Sequence, residues 1–111
     1  MSLAEKIRKA RESTVDVDGK TWAIRRPTDE EAAQLRANGD GLLAIVKRFV
    51  IGWPLTEIDL VPGGTGVSVP FDHEVFGEWV ADQPDLWTPL GMAILDAYKL
   101  HADKRDAAVK N

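Results

Sequence analysis

The apolar positions of this chain follow two periods, and the switches between them mark out its elements. Around residues 4–11, Leu3, Ile7 and Ala10 recur on one side with charges elsewhere, which predicts a short helix. The period then falls to two. Val15, Val17, Trp22 and Ile24 share one face across an Asp18-Gly19 turn, predicting a β-hairpin over residues 14–25 that sets Val15 opposite Trp22 and Ser13 opposite Ile24. A two-stranded ribbon with one apolar face needs helices to cover it. Thr28-Asp29-Glu30-Glu31 is a capping box that opens a second helix, ending near Asn38-Gly39. Asp40 is expected to cap a third, in which Leu42, Ile45 or Val46, Phe49 and Trp53 form a buried stripe until Pro54 stops it. Residues 54–70 read as a turn-rich loop. Asp72 caps a fourth helix with Val75, Phe76, Trp79 and Val80 on its apolar face. Beyond Pro84-Asp85 a last helix runs to about Ala108, with Trp87, Leu90, Ile94, Tyr98 and His101 recurring along one side. The expected fold is therefore mainly α with a small β-hairpin (α+β): four to five helices around one core, in a single domain spanning residues 1–111.

Charge changes this picture more than composition does. The 44% hydrophobic and 29% charged residues are ordinary for a globular protein. The net charge of −4 is unevenly spread, however. Residues 49–98 contain no Lys or Arg but carry Glu57, Asp59, Asp72, Glu74, Glu78, Asp82, Asp85 and Asp96, together with Trp53, Trp79 and Trp87. The N-terminal segment holds Lys6, Arg8, Lys9 and Arg11 against Glu5. An acidic, aromatic half weighs against phosphate-backbone binding, which needs cations clustered on one face, so no nucleic-acid partner is expected. With no cysteine, there is no disulfide framework, thiolate site or cysteine nucleophile. The longest apolar stretch, Leu42 to Trp53, is broken by Lys47 and Arg48 and is too short for a bilayer. The N-terminus lacks the apolar run of a signal peptide. A cytoplasmic protein without membrane association is expected.

Candidate chemistry is sparse. His73 and His101 are the only histidines, and a metal site built from His73 with Glu57 or Asp59 competes with the simpler role of first-turn acids against the helix dipole. Asp16-Val17-Asp18-Gly19 starts like a calcium loop but lacks its later oxygen ligands. Gly63-Gly64-Thr65-Gly66 has neither the Lys-Ser/Thr nor the strand–loop–helix setting of a phosphate cradle. Ser2, Ser13 and Ser68 have no nucleophile context. No catalytic residue, metal or cofactor is expected, and the chain reads as a non-enzymatic binding or assembly protein.

Three segments together are similar to something known: Val50-Ile-Gly-Trp53, Gly66-Val-Ser-Val-Pro-Phe-Asp72, and Pro84-Asp-Leu86 with Ala93-Ile-Leu-Asp-Ala-Tyr98. Across roughly residues 45–100 the chain resembles the tail assembly chaperones of long-tailed, lambda-like bacteriophages and prophages. It departs from them in a longer loop that contains Pro62-Gly63-Gly64. The resemblance implies a cytoplasmic virion-morphogenesis factor absent from the finished particle, binding the tape measure protein and helping to bring the major tail protein around it. An alternative is a structural head–tail or tail-terminus component of the virion. For a chaperone of this kind, the expected partner surface is Trp53, Phe71, Phe76 and Trp79, rimmed by Glu57, Asp59, Glu74 and Glu78. Homo-oligomer formation through the basic N-terminal helix is a further expectation. Family members are frequently also made as a longer frameshifted product, and Val109-Lys110-Asn111 can be encoded through the slippery heptamer A-AAA-AAC. The gene's nucleotides at these codons check this directly: any other reading excludes slippage there.

Overall fold

In the computed structural model, which describes residues 1–110, the chain forms nine elements. They are α1 (Leu3–Lys9), β1 (Glu12–Val17), β2 (Lys20–Arg25), α2 (Asp29–Asn38), α3 (Leu42–Phe49), β3 (Val50–Gly52), α4 (Glu57–Leu60), α5 (His73–Val80) and α6 (Pro84–Lys110). This is an α+β fold, mainly helical, with six helices where four to five were expected and a sheet where a lone hairpin was expected. The proposed frameshift position reaches Asn111, which lies outside the described residues.

The hairpin forms in the expected register, Val15 facing Trp22 and Ser13 facing Ile24. Its turn is set by two consecutive positive φ angles, 54° at Asp18 and 76° at Gly19. That conformation follows the right-handed twist of the strands, and Asp and Gly are the residues that adopt it at least cost. Trp22 and Ile24 point into the core and are almost fully buried. The third strand corrects the sequence reading. The helix expected to continue to Trp53 ends at Phe49, and Val50–Gly52 instead pairs antiparallel with β2, giving the order β1-β2-β3. Val50 and Ile51 are β-branched and lose side-chain freedom in a helix, while Pro54 cannot continue one, so pairing with β2 is the better use of this backbone. The start of α3 also differs: its cap is Gly41 rather than Asp40, with no side-chain cap bond.

Helices cover the sheet's inner face. Val46 and Phe49 of α3, Phe76 and Val80 of α5, and Leu90 and Ile94 of α6 close over Trp22 and Ile24 as one continuous core. Pro84 is the first residue of α6, where its missing N–H needs no partner. Helix α1 is the exception to this coverage. It buries none of its residues, so its apolar side lies open. Among the described residues, no helix is long and apolar enough to cross a membrane.

One carboxylate fastens the layers. Glu31 accepts two bonds from Arg25 of β2 (2.8 and 2.9 Å), one from Arg48 of α3 (3.0 Å) and one from the Thr28 backbone N–H that completes its own capping box (3.0 Å). Both guanidiniums also lie over the Phe49 ring, at 4.6 and 5.2 Å. The Arg25 bonds, more than any other influence, hold the Glu31 carboxyl down at about 2 from an ordinary 4.5. Its folded value is lowered, so its stabilisation is complete above about pH 4.5 and declines as the pH falls toward 2. Partial exposure of the cluster keeps the contribution on the order of 2 kcal/mol. Glu31→Gln is therefore expected to lower urea-unfolding stability by about that amount at pH 7 and to make little difference near pH 2. An equal loss at both pH values would contradict this role.

Candidate partner-binding groove

Residues 54–70 form a closed, hydrogen-bonded segment instead of an open loop. Its first turn is the four-residue helix α4, absent from the sequence reading. Asp59 fixes it by accepting from the backbone N–H and the hydroxyl of Thr56, at 2.8 and 2.9 Å. These bonds, with Lys20 at 3.8 Å, hold the Asp59 carboxyl below the usual carboxylate range and keep it ionised. The returning chain then pairs with the outgoing one. Glu57 and Ile58 donate backbone bonds to the carbonyls of Val67 and Thr65 (2.9 and 2.8 Å), Val69 donates to Leu55 (3.2 Å), and Thr56 bridges Ser68. Glu57 also accepts from the Thr65 N–H at 3.0 Å. Gly64 packs so tightly against α4 that a Cβ there would lie 2.7 Å from the Glu57 carbonyl oxygen.

Tryptophan N–H groups attach this segment to the core. Trp53 donates to the Val69 carbonyl (2.7 Å), and Trp79 of α5 donates to the Asp59 carbonyl (3.0 Å). Their rings belong to one aromatic stack. Trp53 meets Phe71 edge-on at 5.1 Å and Phe76 at 6.2 Å, and Trp79 lies nearly parallel to Trp22 at 6.3 Å. His73 places its ring edge-on to Phe71, at 4.8 Å and 85°. The residues imagined as a metal set thus face different neighbours: His73 the Phe71 ring, Glu57 the Thr65 N–H, and Asp59 Thr56. At the other end of the fold, His101 meets Asp29, which also accepts from Tyr98 and Arg105 (2.9 and 2.7 Å) and ties α2 to α6. The Arg105 and Tyr98 bonds lower the Asp29 pKa.

Between α4 with its following turn and the outer face of α5 lies a groove of about 690 Å³. Ile58, Leu60, Val61, Pro62, Val75 and the edge of Trp79 supply its apolar surface; Asp59, Glu74, Glu78 and Asp82 stand along it. Ile58 and Val61 are more than half exposed, an unusual state for large aliphatic residues adjacent to one another. Of the expected partner residues, the fold brings Asp59, Glu74, Glu78 and Trp79 together here. Trp53 and Phe71 are half-buried behind the segment, and Glu57 is turned to Thr65. Phe76 is completely buried and supports the aromatic stack from below, so it has no surface to offer. Ile58, Val61, Val75 and Asp82 are groove residues that sequence reasoning missed. The signal available was an aliphatic cluster, Ile58-Asp-Leu-Val61, inside an otherwise turn-forming stretch.

A second groove, of about 500 Å³, lies where the start of β1 meets α6, and its cations are Arg11, Arg26, Lys104 and Arg105. The two grooves therefore differ in sign.

Trp79→Phe keeps the ring stack and deletes the bond to Asp59. It is expected to cost about 1–2 kcal/mol in chemical unfolding and to speed proteolysis selectively within residues 57–68. Unchanged cleavage there would mean that the indole bond does not hold α4. Compared with known protein families, curated proteins and solved structures, the chain finds no match.

Proposed function

We propose that this protein is a non-catalytic, cytoplasmic tail assembly chaperone of a long-tailed bacteriophage or prophage, and that its α4–α5 groove holds an amphipathic helical segment of the tape measure protein. The observation that carries the reading is the groove itself: exposed aliphatic side chains between carboxylates, on the segment that bears the family resemblance. A helix laid into it would bury an i, i+3/i+4 apolar stripe and pair its flanking Lys or Arg residues with Glu74, Glu78 and Asp82. The acidic rim also keeps such a complex soluble while the partner's apolar surface is covered. Delivery of the major tail protein around the tape measure is the step such a complex prepares. A major tail gene upstream and a very long tape measure gene downstream are the expected neighbours.

Co-expression with the tape measure protein encoded alongside is expected to raise that partner's soluble fraction several-fold. Glu74→Lys/Glu78→Lys, two exposed positions, should abolish the gain while leaving the thermal melt within a few degrees of wild type. An equally insoluble partner with the wild-type chain would defeat the proposal. Mass spectrometry of purified particles should find no copy of the chain; a stoichiometric copy would make it a virion component instead.

A further inference from the structure

We infer that the open edge of β1 takes up an extended acidic segment of another protein as a fourth strand, the acids of that segment lying in the cationic groove between β1 and α6. β1 ends the sheet, with no strand beyond it among the described residues. The Arg26 N–H donates to the Arg11 carbonyl at 2.9 Å, one step beyond the Glu12–Arg25 pair. Hydrogen-bonded pairs alternate along an antiparallel ladder, so Arg11, Ser13, Val15 and Val17 turn their carbonyls toward β2. Glu12, Thr14 and Asp16 therefore point their backbone N–H and C=O groups outward, and all three residues are exposed. Sheets commonly blunt such an edge with lysine, proline or a bulge. β1 has no Lys or Pro and keeps one unbroken register with β2. Its outward groups alternate donor with acceptor, which an extended peptide matches one for one. A phosphate backbone only accepts and meets half of them.

Charge names the kind of segment. Arg11 and Arg26 are cross-strand neighbours at the mouth of the groove, and like charges so placed repel. Burial, and then Arg11 beside it, lower the Arg26 pKa. Lys104 of α6 adds a third cation, whereas Arg105 is already taken up by Asp29 at 2.7 Å. Among the described residues, Arg11, Arg26 and Lys104 form no ion pair, and Glu12 is the one acid in the groove's lining. Side chains of an added strand alternate between the two faces of the sheet. Those on the inner face meet these cations and the surface of Ala97 and Leu100, the latter 57% exposed. Those on the outer face flank Thr14 and Asp16, where a carboxylate would be repelled. The segment recognised thus alternates acids with small polar or β-branched residues, over about the six residues of β1. A second copy of this chain does not fit: its own β1 would bring Arg11, Arg26 and Lys104 against the same set. This edge shares no lining residue with the α4–α5 groove, and the inference does not rest on the tape measure reading.

Titration of the isotopically labelled full chain with the peptide acetyl-Thr-Glu-Thr-Glu-Thr-Glu-Thr-amide, followed by NMR, tests it. The Thr14 and Asp16 amide signals are expected to shift, and their hydrogen exchange to slow about tenfold at saturation. Binding should weaken as salt rises, and the same peptide with Lys for Glu should not bind. Arg11→Glu/Lys104→Glu should weaken binding about tenfold while leaving the thermal melt within a few degrees of wild type. Two N-methylated peptides separate strand pairing from charge attraction. One set of alternate amides faces β1 and the other faces solvent, so methylation of the threonines or of the glutamates should abolish binding while the other form retains it. Equal binding by both forms overturns the inference, as does binding that leaves the Thr14 and Asp16 exchange unchanged. A single-stranded oligonucleotide that protects the same two amides as well as the peptide overturns it too. Failure of the peptide leaves the tape measure reading intact, and an insoluble tape measure protein leaves this inference intact.

Discussion

Chain that leaves regular secondary structure but stays against a core must still pair its polar backbone, and here indole N–H groups supply the missing donors. Trp53, Trp79 and Trp87 each place a large apolar plate against the core and donate to a backbone carbonyl: Val69, Asp59 and Val80. The first two bonds hold residues 54–70 in place, and the third closes the end of α5 against the start of α6. Both walls of the acidic groove therefore depend on them. Phenylalanine would provide the same burial at these positions but leave the carbonyls to find water, and the segment would have no fixed distance from the core.

The opposite side of the fold is organised by ion pairs. Glu31 joins β2, α2 and α3 at a single carboxylate, and Asp29 joins the start of α2 to α6. Both belong to the first turn of α2, where the helix dipole already favours an anion. The two halves thus use different forces for the same task. Aromatic packing with indole bonds secures the cation-free region, while charge pairing secures the region where arginines are plentiful.

Which parts could be read from the sequence follows from how local each signal is. The hairpin register was legible because Asp18-Gly19 fixes the turn, and turn plus alternation leave one register. The Thr28–Glu31 box and the Asp72 cap were legible for the same reason: each is complete within four residues. The boundary at Phe49 was not. Phe49 and Trp53 fit a helical stripe, and only the nearby unpaired edge of β2 makes a strand the better outcome for Val50–Gly52. Helix α4 is too short to show a period at all. For the groove, one wall was visible as the charged and aromatic face of α5, whereas Ile58 and Val61 acquire meaning only when the indole of Trp79 sets them opposite Val75. Leu3 and Ile7 were legible as one side of a short helix, since periodicity reports that a face is apolar and not what covers it.

The acidic groove adjoins the turn end of the hairpin, where Lys20 meets Asp59, and the base-rich N-terminal segment joins its other end, so charges of opposite sign are held apart on one molecule. Such a molecule turns in the field of any charged neighbour before the two touch. Encounters then begin with the acidic groove facing forward toward basic segments and away from acidic ones. Orientation, ordinarily a slow random search over the whole surface, is largely settled during the approach.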